Sequence, residues 1–186
     1  MTSETGTTTS PLPLPLAAGH WEIDTNHSEV GFTIRHLGIS KVRGHFGQVD
    51  AALVVGETIE ESSITATVAL GSIDTGNPQR DEHVRSADLL DVEKRPTMTF
   101  RSTKASGDGE EWVLEGDLTI GDVTRTVTFE VEFGGAVDFA DNRKHAGFEA
   151  KGEIRRSDFG LNFGGADALL GDVVKIQLDA QFLSPA

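Results

Sequence analysis

The sequence contains no cysteine, which excludes disulfide bonds, thiolate catalysis and cysteine-ligated zinc. This absence fits reducing and oxidising compartments equally, so it does not locate the protein. Basic residues are also few: 16 Lys and Arg stand against 30 Asp and Glu in a chain of 186 residues, and the formal net charge is -14 at pH 7. A nucleic-acid backbone or an anionic lipid surface would on average be repelled, so nucleic acid is not expected as a partner.

Long apolar runs are missing as well. No stretch approaches the ~18 consecutive apolar residues of a membrane span, so stable membrane insertion is not expected. Residues 1–19 carry no Lys or Arg, and prolines interrupt their apolar stretch, whereas a secretory signal needs a basic start and a continuous apolar run. We therefore predict a cytoplasmic protein with a disordered Pro- and Thr-rich tail at 1–19 and a single domain at 20–186.

The chain is rich in residues that favour strands and turns. Hydrophobic residues make up 37% of it, and 21 glycines with many Thr and Val residues are typical of strands joined by tight turns. In the clearest segments, 126–133 and 174–182, apolar residues alternate with polar ones, as a strand with one buried face requires. Weaker alternation elsewhere brings the total to about nine segments.

One segment departs from the period of two. Asn77 suits a helix N-cap, Pro78 suits the first helical position, and acidic residues follow, so the sequence predicts a short helix from 77 toward 90. The whole pattern predicts an all-β fold, an eight-stranded antiparallel β-barrel with one short helix, because closure removes exposed strand edges. Such a barrel either fills with side chains or holds one ligand, and the periodicity favours neither.

Several blocks of sequence occur in an order and spacing that match a known family. They cover 21–37, 42–46, 73–77, 80–88, 96–102, 116–120 and 156–161. Together they resemble the YceI-like family of polyisoprenoid-binding proteins over nearly all of 20–182. The resemblance implies a lipocalin-like barrel that holds a long-chain isoprenoid lipid, of polyprenyl or isoprenoid quinone type, often as a homodimer.

The resemblance also implies a carrier, store or sensor with no catalytic residues, no metal and no cofactor besides the bound lipid. Three places depart from the family pattern: Leu89-Leu90 replace aromatic residues, Arg155 replaces a common Asn, and Gly121-Asp122 replace a basic residue and a glycine. The first departure affects the expected pocket, and it therefore affects the length and the head group of the ligand that would fit. Many relatives are periplasmic, so the lack of a signal implies a cytoplasmic branch.

Alternation assigns an inward face to each strand and thereby a set of candidate ligand contacts. The wall candidates are Phe32, Ile34, Val68, Leu70, Met98, Phe100, Leu118, Ile120, Phe129, Val131, Phe148, Ile176 and Leu178, with Leu89, Leu90, Phe159, Leu161 and Phe163 nearer an entrance. Small inward residues such as Gly44, Ala66, Ala150 and Ala180 are expected to leave room for a ligand.

A cluster of charged residues on and around the predicted helix has two interpretations. Its members are Asp74, Arg80, Asp81, His83, Arg85, Arg156 and Asp158. They either pair with one another and pin the helix over one end of the barrel, or form the rim of the mouth and meet the polar head of a prenyl lipid or quinone.

Two other functions stay open. One is an enzyme acting on a hydrophobic substrate, with Asp24, His27 or His83 as the acid or base. Against this function, Asp24, His27 and Ser28 lie so close together on a tight turn that they rarely reach the geometry of a catalytic triad, and no Gly-x-Ser-x-Gly sequence occurs. A metal site is not expected, because the histidines lack close paired spacing. The other is a filled barrel whose loops, acidic surface and proline-rich tail bind protein partners.

Overall fold

The computed structural model describes residues 16–185. This part of the chain forms eleven β-strands, one α-helix and several short 3-10 turns. The strands are β1 Gly19–Ile23, β2 Glu29–His36, β3 Ser40–Phe46, β4 Val49–Val55, β5 Ser63–Ala69, β6 Ile73–Asp74, β7 Thr97–Asp108, β8 Glu111–Ile120, β9 Val123–Asp138, β10 Lys144–Arg155 and β11 Leu170–Leu183, and the helix is α1 Pro78–Arg85.

The eleven segments close into an antiparallel barrel with eight strand positions. Strands β1 and β2 share one position, β3 and β4 a second, and β5 and β6 a third, while β7 to β11 each occupy one. Strand β11 closes the ring, because it pairs with β10 on one side and with β1 and β2 on the other. The predicted eight-stranded barrel with one short helix is therefore confirmed.

The two ends of the barrel differ. The helix end carries α1 and the β2–β3 turn, and the distal end carries the β9–β10 turn and the β4–β5 loop. A larger core around Leu118, Phe129 and Ile176 reaches the helix end, and a smaller one around Trp21 and Phe182 fills part of the distal end. Side chains alternate across each strand, so the period of two in the sequence decides which residues enter these cores.

Helix α1 begins where the sequence predicts. The Asn77 side-chain oxygen accepts a hydrogen bond from the Arg80 N–H at 3.1 Å, and Pro78 occupies the first turn. The helix ends at Arg85 because Ser86 has an extended backbone, with φ -69° and ψ 167°, so it is shorter than the predicted extension toward 90. Leu90 follows in a turn region and is buried.

The barrel domain includes a few residues of the segment assigned to the tail. Strand β1 begins at Gly19, Trp21 Nε1 donates to the Ala17 carbonyl oxygen at 2.9 Å, and Leu16 packs against the distal core. The rest of the predicted tail, residues 1–15, lies outside the described residues. Within residues 16–185, no helix has the length and apolar character needed to cross a membrane.

Candidate ligand-binding site

Two cavities lie end to end inside the barrel. The distal cavity has a volume of about 620 Å³ and the helix-end cavity about 370 Å³. Val30, Met98 and Ile176 line both cavities, so these three side chains stand at the boundary between them, which we call the constriction. Each volume lies in the range of small-molecule sites, roughly 300–1,000 Å³.

The two cavities together run along most of the barrel. On strand β11, Leu170 lines the helix-end cavity and Phe182 lines the distal cavity. At about 3.3 Å per residue and a strand tilt of about 40°, this stretch spans roughly 30 Å along the barrel axis. That length is comparable with the ~30 Å hydrocarbon core of a bilayer, which two lipid chains span end to end, so the two cavities together extend beyond the length of one ordinary acyl chain.

The distal cavity has a mainly apolar wall. Its polar lining comes mostly from the β4–β5 loop, the first residue of β5 and the middle of β7, including Glu60, Ser63 and Lys104. Several inward positions carry small side chains that open the space: Ala51, Ala66, Ala105, Ala150 and Ala180. Three of these alanines were expected to leave room, and they do.

The helix-end cavity lies beneath α1 and the loop at 156–169. Its polar lining includes Thr75, Arg80, His83 and Arg156, and no Asp or Glu of the described residues lines it. This is unusual in a chain with a net charge of -14. Guanidinium, imidazole and hydroxyl groups, and no carboxylate of the described residues, therefore make up the polar lining of this cavity.

All but one of the predicted contact residues line a cavity. The distal cavity takes Val68, Phe100, Leu118, Phe129, Val131, Phe148 and Leu178; the helix-end cavity takes Phe32, Ile34, Leu70, Leu89, Leu90, Ile120, Leu161 and Phe163; Met98 and Ile176 line both. Phe159 differs, because the 3-10 turn Arg156–Phe159 directs it into the core, where it is buried and lines neither cavity. Contact of these residues with a ligand stays a prediction.

Sequence reasoning missed some residues of the cavity wall, and it wrongly expected one small residue to leave room for a ligand. Val30, Leu114 and Phe182 line the distal cavity, and each lies in phase with predicted residues on its own strand. Extending the alternation to the strand ends would have found them. Gly44 does not widen the interior, because the Phe32 ring covers it: a Cβ there would lie 2.5 Å from that ring.

The charged residues of α1 fasten the helix to the turn that precedes it. Asp81 is buried and accepts hydrogen bonds from the Thr75 N–H at 2.9 Å and the Thr75 hydroxyl at 2.5 Å. Arg80 donates to the Thr75 hydroxyl and carbonyl oxygens, both at 2.7 Å. Arg85 donates to two backbone carbonyl oxygens, at 2.8 and 2.9 Å. These bonds hold α1 over the helix-end cavity.

Arg156 organises a separate network in the loop at 156–171. It is 5% exposed and donates to three backbone carbonyl oxygens, each at 3.0 Å, and to Asp167 at 2.6 Å. Its guanidinium carbon lies 4.7 Å from the centre of the Phe163 ring. The Phe163 N–H and then Arg156 lower the pKa of Asp167. The loop is therefore folded around a cation at the cavity wall.

The network of α1 and the network of Arg156 do not pair with each other, which was one of the pairings that the first interpretation allowed, although α1 is held over one end of the barrel as that interpretation expected. No hydrogen bond or ion pair between described residues joins α1 to Arg156 or Asp158, because each arginine bonds carbonyl oxygens of its own loop. Asp74 accepts from the Gly76 N–H at 2.8 Å, and His83 Nε2 lies 3.7 Å from a carboxylate oxygen of Asp88.

The candidate acid–base residues of the β1–β2 turn form a structural corner. Asp24 accepts from His27 at 2.7 Å, and this bond is the main cause of the lowered pKa of Asp24. The Ser28 hydroxyl donates to the Gln181 carbonyl oxygen and accepts from the Gln181 N–H, so it bonds strand β11. No group of three or more His, Asp or Glu within residues 16–185 is placed to hold a metal ion.

A closed antiparallel barrel with an apolar interior along its axis defines the protein as a hydrophobic-ligand-binding barrel. The protein-family model of the YceI-like domain matches residues 21–182 of the sequence, and the chain belongs to this family.

Known relatives agree with this assignment. Protein YceI of Escherichia coli O157:H7 is 39% identical over 147 residues, which are 77% of each chain. The crystal structure of Burkholderia cenocepacia BcnA has a TM-score of 0.75 with 21% identity and covers 86% of this chain and 98% of its own. A polyisoprenoid binding domain from Saccharophagus degradans has a TM-score of 0.69 with 13% identity, and the match covers 89% of this chain and 98% of that domain. The last two similarities show the fold.

Proposed function

We propose that this protein binds a long-chain isoprenoid lipid inside the barrel, without catalysis, as a carrier, store or sensor. The observation that supports this most directly is the pair of apolar cavities that meet at Val30, Met98 and Ile176. One extended chain fits this shape better than a compact ligand does. The related Saccharophagus degradans domain, described as polyisoprenoid-binding, supports the same ligand class.

The energetics of such binding need no specific polar contact to the chain. Apolar burial contributes about 0.8 kcal/mol per methylene, so ten buried carbons supply about 8 kcal/mol before ordering costs. A net free energy of that size would correspond to a Kd of about 1 μM, so the ordering costs must be offset by burying more than ten carbons to reach this affinity. Selectivity would then come from the length and shape of the path.

The proposal places the polar head group at the helix end. There Thr75, Arg80, His83 and Arg156 line the cavity without a carboxylate from the described residues. A quinone oxygen or a prenyl hydroxyl or phosphate must keep hydrogen-bond partners when it leaves water. In this set Arg80 and His83 are the donors proposed for it, because Thr75 already donates to Asp81 and Arg156 to carbonyl oxygens and Asp167. The cytoplasmic location and the homodimer expected from the sequence stay predictions.

Native mass spectrometry of the purified full chain, followed by organic extraction, tests the proposal. We expect a mass increment that leaves on denaturation and an isoprenoid in the extract. Delipidated protein should take up geranylgeraniol or an isoprenoid quinone at one molecule per chain. A protein that is isolated empty and takes up neither probe would overturn the proposal.

A matched pair of variants separates cavity binding from adsorption to the surface. Ala150 lines the distal cavity, and the next residue, Lys151, is exposed on the outer face. Ala150→Trp should fill part of the cavity and abolish stoichiometric uptake, whereas Lys151→Trp should bind like the unmodified protein. Equal uptake by both variants would show that the lipid does not enter the barrel.

A further inference from the structure

The β2–β3 turn at the helix end exposes apolar side chains to solvent. Leu37 is 52% and Ile39 is 82% exposed, and Leu169, whose carbonyl oxygen accepts from the Leu37 N–H at 2.7 Å, is 46% exposed. We call residues 35–43 together with Leu169 the basic tip. Leu169 and His36 also line the helix-end cavity, so the tip borders the mouth of that cavity.

The basic tip is positively charged on a strongly acidic protein. Arg35, Lys41 and Arg43 are exposed, and residues 35–43 contain no Asp or Glu, although the chain has a net charge of -14. None of the three forms an ion pair with a carboxylate of residues 16–185. Two neighbouring carboxylates bond elsewhere: Asp167 of the adjoining loop bonds Arg156, and Asp172 at the start of β11 bonds Ser157.

Two features of the tip disfavour folding. Leu37 has φ 56° and Gly38 φ 69°, and the turn is closed by the Ile39 N–H on the His36 carbonyl oxygen at 3.2 Å. Turns with positive φ at both central residues favour Asn, Asp or Gly over Leu at the first of them. Arg35 and Lys41 are direct cross-strand partners, and like charges at such positions repel.

We propose that the basic tip docks the protein reversibly on an anionic lipid bilayer. Leu37, Ile39 and Leu169 enter the interface between head groups and acyl chains, while Arg35, Lys41 and Arg43 contact anionic head groups. The acidic remainder of the surface is repelled by the same membrane, so the protein is oriented with its helix end toward the lipid. Docking itself does not depend on the proposed ligand, although it places the mouth of the helix-end cavity against the bilayer.

The distal end offers a matched control surface. Val137 and Phe139 at the β9–β10 turn are each 63% exposed, similar to the tip, but Asp138 and Asp141 flank them. Apolar exposure is therefore comparable, whereas residues 137–145 carry no net formal charge, because Arg143 and Lys144 balance Asp138 and Asp141. Along β11 the two turns lie roughly 40 Å apart, since their partners are Leu170 and Leu183.

Co-sedimentation of the full chain with vesicles tests the proposal. We expect binding to vesicles of phosphatidylcholine mixed with phosphatidylglycerol, weak binding to pure phosphatidylcholine, and loss of binding in high salt. Lys41→Gln with Arg43→Gln should weaken binding about 25-fold, at about fivefold per charge. Val137→Ser with Phe139→Ser should bind like the unmodified chain.

A second variant keeps a folding defect apart from a docking defect. Leu37→Asn with Ile39→Ser removes the apolar contacts but places a favoured residue at the positive φ, so its thermal stability should be kept or raised while vesicle binding falls about tenfold or more. Absence of binding to anionic vesicles by the unmodified chain, or equal binding by the tip and control variants, would overturn the proposal. So would self-association that is lost in Leu37→Asn with Ile39→Ser, if no vesicle binding accompanies it.

Discussion

The phenyl ring of Phe100 on β7 lies against the backbone of Gly116 on β8, where a side chain would otherwise stand. The same relationship joins Phe32 to Gly44. A ring that lies over a glycine on the next strand covers the backbone of that strand and does not occupy the rest of the interior. These pairs therefore contribute core contacts while the space beside them stays open.

Gly116→Ala should destabilise the barrel. A Cβ at this position would lie 2.5 Å from the Arg101 carbonyl oxygen and would also overlap the Phe100 ring. The ring can rotate away but the backbone oxygen cannot, so we expect a loss of about 1–3 kcal/mol in the free energy of unfolding. Urea denaturation measures it. Gly147→Ala is the control, because a Cβ there meets nothing within 4 Å; equal losses in both variants would contradict the explanation.

The strands were largely predictable because a β-barrel has one buried face. Strand β11 follows the alternation of Val174, Ile176 and Leu178, and α1 follows its Asn77 cap. Both signals are local, so a single sequence carries them. Ring closure is a relation between distant segments, so the strand pattern predicted it only through the general argument that closure removes exposed edges, and the family resemblance implied the same barrel.

The shape of the interior was not predictable. Whether Gly44 opens space or receives a ring depends on the side-chain direction of Phe32 on another strand. Phe159 follows the apolar pattern of the entrance but turns into the core in a 3-10 turn. The positive φ of Leu37 contradicts the usual preference of the residue, so propensity alone does not indicate the exposed tip.

Arg156→Ala should be strongly destabilising. Arg156 is buried and donates to three backbone carbonyl oxygens and to Asp167. Its removal takes the arginine donor from three backbone carbonyl oxygens and the cationic partner from Asp167, which keeps only the Phe163 N–H, and we expect a loss of about 3 kcal/mol in the free energy of unfolding. Thermal or urea unfolding checks this.

The neighbouring arginine provides the control for Arg156. Arg155 is exposed and lies 3.8 Å from Asp172, so Arg155→Ala should cost less than about 1 kcal/mol. A similar cost for both variants would mean that the loop at 156–169 does not depend on the buried cation.

Ser157→Ala should raise the pKa of Asp172. The Ser157 hydroxyl, followed by its backbone N–H, lowers the pKa of this carboxyl, with distances of 2.7 and 3.0 Å. Because the pKa is lower in the folded state than in the unfolded state, this carboxyl stabilises the fold at pH values above its unfolded pKa of about 3.9. The stabilisation is lost as the pH falls through the folded-state pKa. Carboxyl-carbon NMR titration measures the shift, and Ser157→Thr, which keeps the hydroxyl, should leave the pKa of Asp172 low. No change in Ser157→Ala would exclude the hydroxyl as the main cause.

The constriction between the cavities should control which ligand lengths fit. Met98 lines both cavities and is buried on β7, so Met98→Ala should join them into one wider path. We expect the preference in a mixture of isoprenoid alcohols to move toward longer chains, at a stability cost of about 2–4 kcal/mol from the lost contacts. Competitive loading read by native mass spectrometry gives the preference. Leu118→Ala enlarges only the distal cavity, since Leu118 does not line the helix-end cavity, and should not produce the same shift. If both variants change the length preference alike, the total volume of the interior sets selectivity; if only Met98→Ala does, the constriction sets it, because a chain must pass this point to use both cavities.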